Sequence, residues 1–279
     1  MNKKWVYNEV DETKVEEIKE KYNLSDLVAN ILVGRNIVED KEIKVFLNPT
    51  RNDFYDPFLL PDMEIAVNRI IKAIDNKERI IIYGDYDVDG ITSICVLKKF
   101  LEERGINVSQ TIPNRLDEGY GLNKDAIDKI AKENHTLMIT VDCGISGIEE
   151  IEYANSLGIE TIVTDHHEPL DILPDAIAVI DPKIKQSKYP FNQLAGVGVV
   201  FKLIQAISKK LNLDDKEYLK YLDLVCIGTI SDIVPLVDEN RVIAKLGLKL
   251  VEVTKNIGLK TLLNSLGYGH INSITISLQ

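Results

Sequence analysis

The chain has 279 residues, 45% hydrophobic and 28% charged, with a formal charge of −11 from 33 Lys and Arg against 44 Asp and Glu. Such a length buries a substantial core in one large or two smaller domains, and the acid excess excludes a protein that coats nucleic acid with a uniformly basic surface. It leaves open nucleic acid met at a local patch, and a site that gathers carboxylates around metal.

Residues 1–75 are predicted to form a small helical N-terminal segment packed on the core. The charged stretch 13–22 is helix-prone. Ser25 and Asp26 can cap a helix through Leu27, Ile31 and Leu32 to Gly34, and Asp40 can cap another carrying Ile43, Val45, Phe46 and Leu47. Pro49, Pro57 and Pro61 punctuate a loop, and 62–75 carries a helical apolar face. From residue 76 the pattern changes. Short β-branched runs at 80–83, 108–112, 137–141, 161–164 and 176–180 read as buried strands. They alternate with helices predicted over 91–103, 124–131 and 147–157. This is an α/β parallel sheet with helices on both faces. A helical tail follows, over 199–210, 216–227, 241–253 and 259–266.

Cys95, Cys143 and Cys226 are odd in number and form no CxxC pair, so neither a disulfide framework nor a zinc ribbon is expected. The start is polar and no run of about 18 apolar residues occurs, which points to the cytoplasm with no membrane partner.

Ligands of parallel sheets sit outside the carboxyl ends of the strands, and three predicted strand ends carry acids or histidines. Gly84-Asp85-Tyr86-Asp87-Val88-Asp89-Gly90 follows the first. On an extended segment alternate acids point one way, and three such carboxylates repel one another unless cations lie among them. A solvated Asp/Gly turn is the plainer alternative. An EF-hand fails because its twelfth position is Val96, not Glu, and a strand precedes it. Asp142 ends the third strand as a ligand or as a cap for the next helix; Gly144 and Gly147 permit close backbone approach there. Thr164-Asp165-His166-His167 offers neutral imidazoles to a divalent ion. Neighbouring histidines face opposite ways, so one ligates and the other meets substrate. Asp232, between Gly228 and Pro235, lies among apolar residues and needs a partner, a metal or a capping role. Carboxylates and imidazole suit manganese or magnesium, and carboxylates shared between two ions serve two-metal hydrolysis of phosphate esters.

Two weaker signals remain. Gly196-Val197-Gly198-Val199-Val200-Phe201 begins like a dinucleotide fingerprint, but Phe201 replaces the third glycine and no clear strand leads in. Close packing at a helix start, or amides near a phosphate, fits better. In the loop 112–122, Arg115 can grip a phosphate and Tyr120 can stack on a base, or the loop is a surface turn with a buried Tyr. His135 and His270 have no acidic neighbours placed as ligands and are read as structural. Lys98-Lys99, Lys183/Lys185/Lys188 and Lys209-Lys210 are read as solvated faces.

Asp87-x-Asp89, Asp142, Asp165-His166-His167 and Asp232 together resemble, in order, the four motifs of the DHH phosphoesterase superfamily. The stretches Tyr83–Thr92 and Gly228–Leu236, the Pro113-Asn114-Arg115 loop and Ala195-Gly196-Val197-Gly198-Val199 are similar to the RecJ single-strand-specific exonuclease branch. So is the preamble, so the resemblance covers nearly the whole chain. Tyr83 stands where many other superfamily members carry histidine.

The resemblance implies a 5′→3′ exonuclease that hydrolyses single-stranded DNA to mononucleotides, in DNA repair and recombination. It implies two divalent ions, Mn2+ preferred and Mg2+ possible. Asp87 would ligate one ion, Asp142 would bridge both, and Asp89, His166 and Asp232 would complete the second. His167 would sit beside the scissile phosphate, with Asp85 as a further catalytic residue; Gly196 and Gly198, like Arg115 and Tyr120, are candidates for substrate binding. A monomer acting on single-stranded DNA is expected, with a single-strand-binding protein or a helicase as partner. The domain over 76–279 is expected to stand without the DHHA1-like and OB-fold domains that follow it in this branch, and to be weak on long DNA alone. The alternatives are a DHH phosphoesterase acting on short oligonucleotides or cyclic dinucleotides, and a non-catalytic replication scaffold.

Overall fold

The computed structural model describes residues 9–113 and 121–267, in two compact units, Met1–Asp53 and Phe54–Gln279. The first unit contains helices α1 (Glu12–Tyr22), α2 (Asp26–Gly34) and α3 (Asp40–Leu47). Asp11 accepts the Lys14 N–H at the start of α1, and Ser25 accepts the Val28 N–H at the start of α2. Each satisfies an amide that has no partner inside its helix. Val15, Ile18, Ala29, Leu32 and Ile43 are buried residues of these helices' apolar stripes. Asp40 is the first residue of α3, not its cap, and its carboxylate takes the Lys21 ammonium instead.

The second unit begins its longer regular elements with α4 (Met63–Asp75). Then come β1 (Ile80–Gly84), α5 (Val88–Glu102), β2 (Val108–Thr111), α6 (Lys124–Lys132), β3 (Leu137–Val141), α7 (Ile148–Ser156), β4 (Glu160–Thr164) and β5 (Ala178–Ile180). Five helices follow: α8 (Gly196–Lys210), α9 (Lys216–Leu219), α10 (Leu222–Ser231), α11 (Asp238–Val251) and α12 (Ile257–Leu266). The sequence groups α4 with the N-terminal segment, but Met63, Ala66, Val67, Ile70 and Ala73 are buried in the main core of this second unit. The stretch 216–227 is two helices rather than one. Among the described residues no helix is long and apolar enough to cross a membrane.

All five strands pair in parallel, in the order β2-β1-β3-β4-β5. Successive side chains of a strand point to opposite faces, and here both faces are covered. Ile80, Ile82, Leu137, Ile139 and Ile162 join one cluster with Leu97 and Phe100 of α5, Val200, Phe201 and Ile204 of α8, and Val225 of α10. Ile81, Tyr83, Met138, Val163 and Val179 join the other with Ile127 and Ile130 of α6 and Ile151 and Ala154 of α7. That double burial is why the strands read as unbroken apolar runs.

The chain leaves β1 outward to β2, then returns to β3 on the other side. Strand order therefore reverses between β1 and β3, the place where parallel sheets open a crevice at their carboxyl edge. Asp85 follows β1, Asp142 follows β3, Asp165 follows β4 and Asp181 follows β5.

Candidate metal centre

The acids after β1 are not presented by an extended strand. Helix α5 starts at Val88, three residues earlier than expected, because Asp87 is its N-cap and accepts the Gly90 N–H at 2.8 Å. Asp89 therefore lies buried in the first helical turn, while Asp87 stays exposed. A Cβ at Gly90 would fall 2.5 Å from the Asp85 carbonyl oxygen, so the helix start can fold onto the strand end only without one. Asp85 is buried and accepts the Tyr86 N–H at 2.7 Å.

Asp142 leaves β3 in the left-handed region, at φ 59°, with its N–H donated to the Thr164 carbonyl. It does not cap α7, whose N-cap is Gly147. Asp232 terminates α10, and its side chain turns to the same cluster. His166 Nε2 lies 3.2 Å from Asp142 Oδ1, 3.8 Å from Asp89 Oδ2 and 3.8 Å from Asp232 Oδ2. Three groupings of ligand-capable atoms result: Asp85, Asp87 and Asp142; Asp89, His166 and Asp232; and Asp142, His166 and His167. Asp142 and His166 each belong to two of them.

The electrostatics call for cations. Burial, followed by the charges of Asp87 and Asp165, pushes the Asp142 carboxyl up to about 9. Burial and then Asp142 hold Asp89 well above the ordinary carboxylate range, and burial likewise raises Asp232 and Asp85. Asp142 Oδ1 and Asp232 Oδ2 are buried with no hydrogen-bond partner. A buried carboxylate oxygen left so is costly unless it binds an ion or a proton. The donors are carboxylate oxygens and imidazole nitrogens, while the Cys143 sulfur turns away to the Tyr83 carbonyl. This set fits divalent cations that prefer oxygen and nitrogen.

Two acids escape the sequence reading as site residues. Asp165 is buried and takes four groups: Oδ2 accepts the Ile145 N–H, and Oδ1 accepts the N–H of His166 and of His167 and meets His167 Nδ1 at 2.7 Å. It builds the loop and aims the second histidine. That hydrogen bond raises His167 to about 9, against the opposing effect of burial. Asp181 is fully buried at the end of β5, and its Oδ1 accepts the Lys183 N–H. Its place after a short strand is the available signal, but Asp181-Pro182 reads as an ordinary loop.

The glycines behave as packing elements. Gly196 and Val197 donate their N–H groups to Asp89 Oδ2 and Oδ1, at 2.7 and 2.9 Å, so the first amides of α8 are spent on that carboxylate. A Cβ at Gly196 would meet Asp142 Oδ1 at 2.5 Å; one at Gly198 would meet the Leu194 side chain at 3.3 Å. Tyr83 is buried, and its hydroxyl donates to the Gly121 carbonyl and accepts from Asn123, tying the segment before α6 to β1. His135 is buried with Nδ1 at the Ile130 carbonyl. Lys183 is not simply solvated: it pairs with Glu168 at 3.3 Å, and its charge reaches Asp232. Arg115 and Tyr120, like His270, lie outside the described residues.

Comparison with known proteins gives this geometry a family. Residues 79–229 match the DHH family, N-terminal domain. The chain is 42% identical over 278 residues to the single-stranded-DNA-specific exonuclease RecJ of Bacillus subtilis, covering 99% of this chain and 35% of that protein. It is 38% identical over 215 residues to the exonuclease of the same name from Escherichia coli, covering 73% and 37%. A crystal structure of RecJ in complex with Mn2+ from Thermus thermophilus superposes with a TM-score of 0.80 at 27% identity, covering 96% of this chain and 37% of that one. The chain thus spans about a third of the length of these relatives.

Proposed function

The chain belongs to the DHH family, and from that premise we propose that it carries the hydrolytic centre of a metal-dependent exonuclease acting 5′→3′ on single-stranded DNA. The observation that carries this reading is the convergence on His166 Nε2 of carboxylates from three separate elements, two of them with buried, unpartnered oxygens. The names of the relatives supply the substrate class, single-stranded DNA.

We assign two divalent ions, manganese before magnesium, to the groupings Asp85/Asp87/Asp142 and Asp89/His166/Asp232. When bound there, they would supply Lewis-acid polarisation of the phosphoryl oxygens and a more acidic water. The chain's own residues do the rest. Asp142 belongs to the first grouping, and its Oδ1 lies 3.2 Å from His166 of the second, so its carboxylate stands between the two. The first amides of α8 fix Asp89. Asp165 holds His167 by Nδ1, which fixes the ring so that it can hydrogen-bond a phosphate oxygen as negative charge builds. In the reaction the water oxygen bonds to phosphorus, the bond from phosphorus to the 3′ oxygen breaks, and a mononucleotide leaves. The three free cysteines accord with a reducing cytoplasm, and the place of the activity is DNA repair and recombination.

The test is release of mononucleotides from a 5′-phosphorylated single-stranded oligonucleotide by the chain with manganese. Release is expected to require the metal and to vanish in Asp142→Asn. Release that persists in chelator, or in Asp142→Asn, overturns the reading.

A further inference from the structure

Ile233 stands where a helix ordinarily ends in glycine. It follows Asp232, the residue that closes α10, and its own φ is +59°. The left-handed region is unfavourable for any side chain and most of all for a β-branched one. The Ile233 N–H closes the turn onto the Ile230 carbonyl, a bond that glycine or asparagine would make with less strain. Nor does packing offset the strain, because Ile233 is 83% exposed, the largest exposure among the exposed large hydrophobics of the described residues. Folding alone gives no reason for isoleucine here.

The surroundings supply one. Ile233 is bonded directly to Asp232, whose carboxylate faces His166 and Asp89 in the metal centre. Val88 and Ile91, both about two-fifths exposed, neighbour Asp87 and Asp89 at the start of α5. Lys183 adds a cation whose field reaches Asp232. The segments that carry the acids Asp87, Asp89 and Asp232 therefore also carry exposed apolar side chains. A nucleotide presents the complementary surface, with a phosphate for the centre and an apolar sugar and base face beside it.

Resting on the function proposed above, we infer that Ile233 is a substrate-contacting residue: its side chain packs against the sugar and base of the nucleotide whose phosphate occupies the metal centre. The contact is apolar and so indifferent to base identity, as an enzyme that degrades any single strand requires. The left-handed turn is what keeps the side chain out of the protein and on the border of the site. Backbone strain of this kind belongs to functional sites, where the fold over-determines it.

The experiment compares wild type with Ile233→Asn and Ile233→Val. It measures the thermal midpoint, manganese affinity by calorimetry, and KM and kcat on an oligo(dT) strand with manganese. Ile233→Asn is expected to raise the midpoint by ~2 °C through strain relief, to leave manganese affinity unchanged, and to raise KM roughly tenfold through the lost apolar contact. Ile233→Val should keep the wild-type KM. A stabilised Ile233→Asn chain with unchanged KM overturns the inference while the nuclease reading stands. Weakened manganese binding also overturns it, since Ile233 would then act only by placing Asp232. A wild-type chain without manganese-dependent cleavage removes the nuclease reading itself, and this inference with it.

Discussion

Asp165 Oδ1 sits 2.7 Å from His167 Nδ1, just after β4, and the residue between them, His166, faces the acid cluster. One buried carboxylate thus fixes both the loop that presents the histidines and the charge of the outer imidazole. Asp165→Asn keeps the size and much of the hydrogen bonding but removes the charge. The His167 ring, now near 9, should titrate close to the ordinary value of about 6.5. Catalysis should fall by about 10–100-fold, as for other groups that orient a catalytic ligand. An NMR titration of the metal-free chain separates this from simple unfolding. A high, unchanged His167 pKa with reduced turnover would contradict it.

Asp142 carries the strain of the metal-free site. Its folded carboxyl is raised to about 9, above its unfolded value of about 3.9. In the window between those values the unfolded chain releases the proton more readily than the folded one. The ionisable side chain therefore detracts from stability there, and the deficit disappears once pH falls below the unfolded value. Asp142→Asn should accordingly raise the melting temperature of the metal-free chain at pH 7. It should also abolish most of the stabilisation that manganese gives the wild type, because ion binding to the folded state is what produces that shift. Melting curves with manganese and with chelator read both effects, and a manganese shift as large as wild type in Asp142→Asn would refute the bridging role.

Gly196 separates packing from phosphate binding. A Cβ there would fall 2.5 Å from Asp142 Oδ1 and 2.7 Å from Asp142 Cβ. Gly196→Ala should therefore displace Asp142, weaken manganese binding and destabilise the fold by about 1–3 kcal/mol, the range for overpacking. Gly198→Ala, which meets only the Leu194 side chain at 3.3 Å, should be much milder. Calorimetric titration of manganese into both variants distinguishes them. Equal affinities would show that Gly196 does not set the position of Asp142.

The sheet is legible in the sequence because both faces of every central strand are buried, which leaves runs such as Ile80-Ile81-Ile82-Tyr83 without polar interruption. The acids fall at the right edge because parallel strands end where loops carry chemistry. How the first acids are presented is not legible. Alternation predicts Asp87 and Asp89 on one side of an extended segment, whereas a capping bond to Gly90 starts the helix early and sends Asp89 to a different grouping from Asp85 and Asp87. Periodicity does not register a single capping bond. Nor does it register Lys202 and Glu239, which are 37 positions apart and look like one lysine in an apolar helix and one acid on a charged helix.

That last pair gives a test of the core away from the metal centre. Lys202 and Glu239 are both fully buried, with Lys202 Nζ 2.9 Å from Glu239 Oε1 and 2.7 Å from the Tyr55 carbonyl. Glu239 also accepts the Tyr55 N–H at 2.9 Å and the Tyr189 hydroxyl. Burial lowers the Lys202 pKa, against the pull of Glu239. Removing one partner of such a pair leaves the other charge buried and uncompensated, whereas removing both does not. Lys202→Met strands a carboxylate in the core and should cost about 3–5 kcal/mol, the range for breaking a buried pair. The double variant Lys202→Met/Glu239→Gln removes both charges and should recover much of that loss. Urea unfolding of the single and double variants measures the coupling, and a double variant no more stable than Lys202→Met would show that Glu239 is held by its other partners alone.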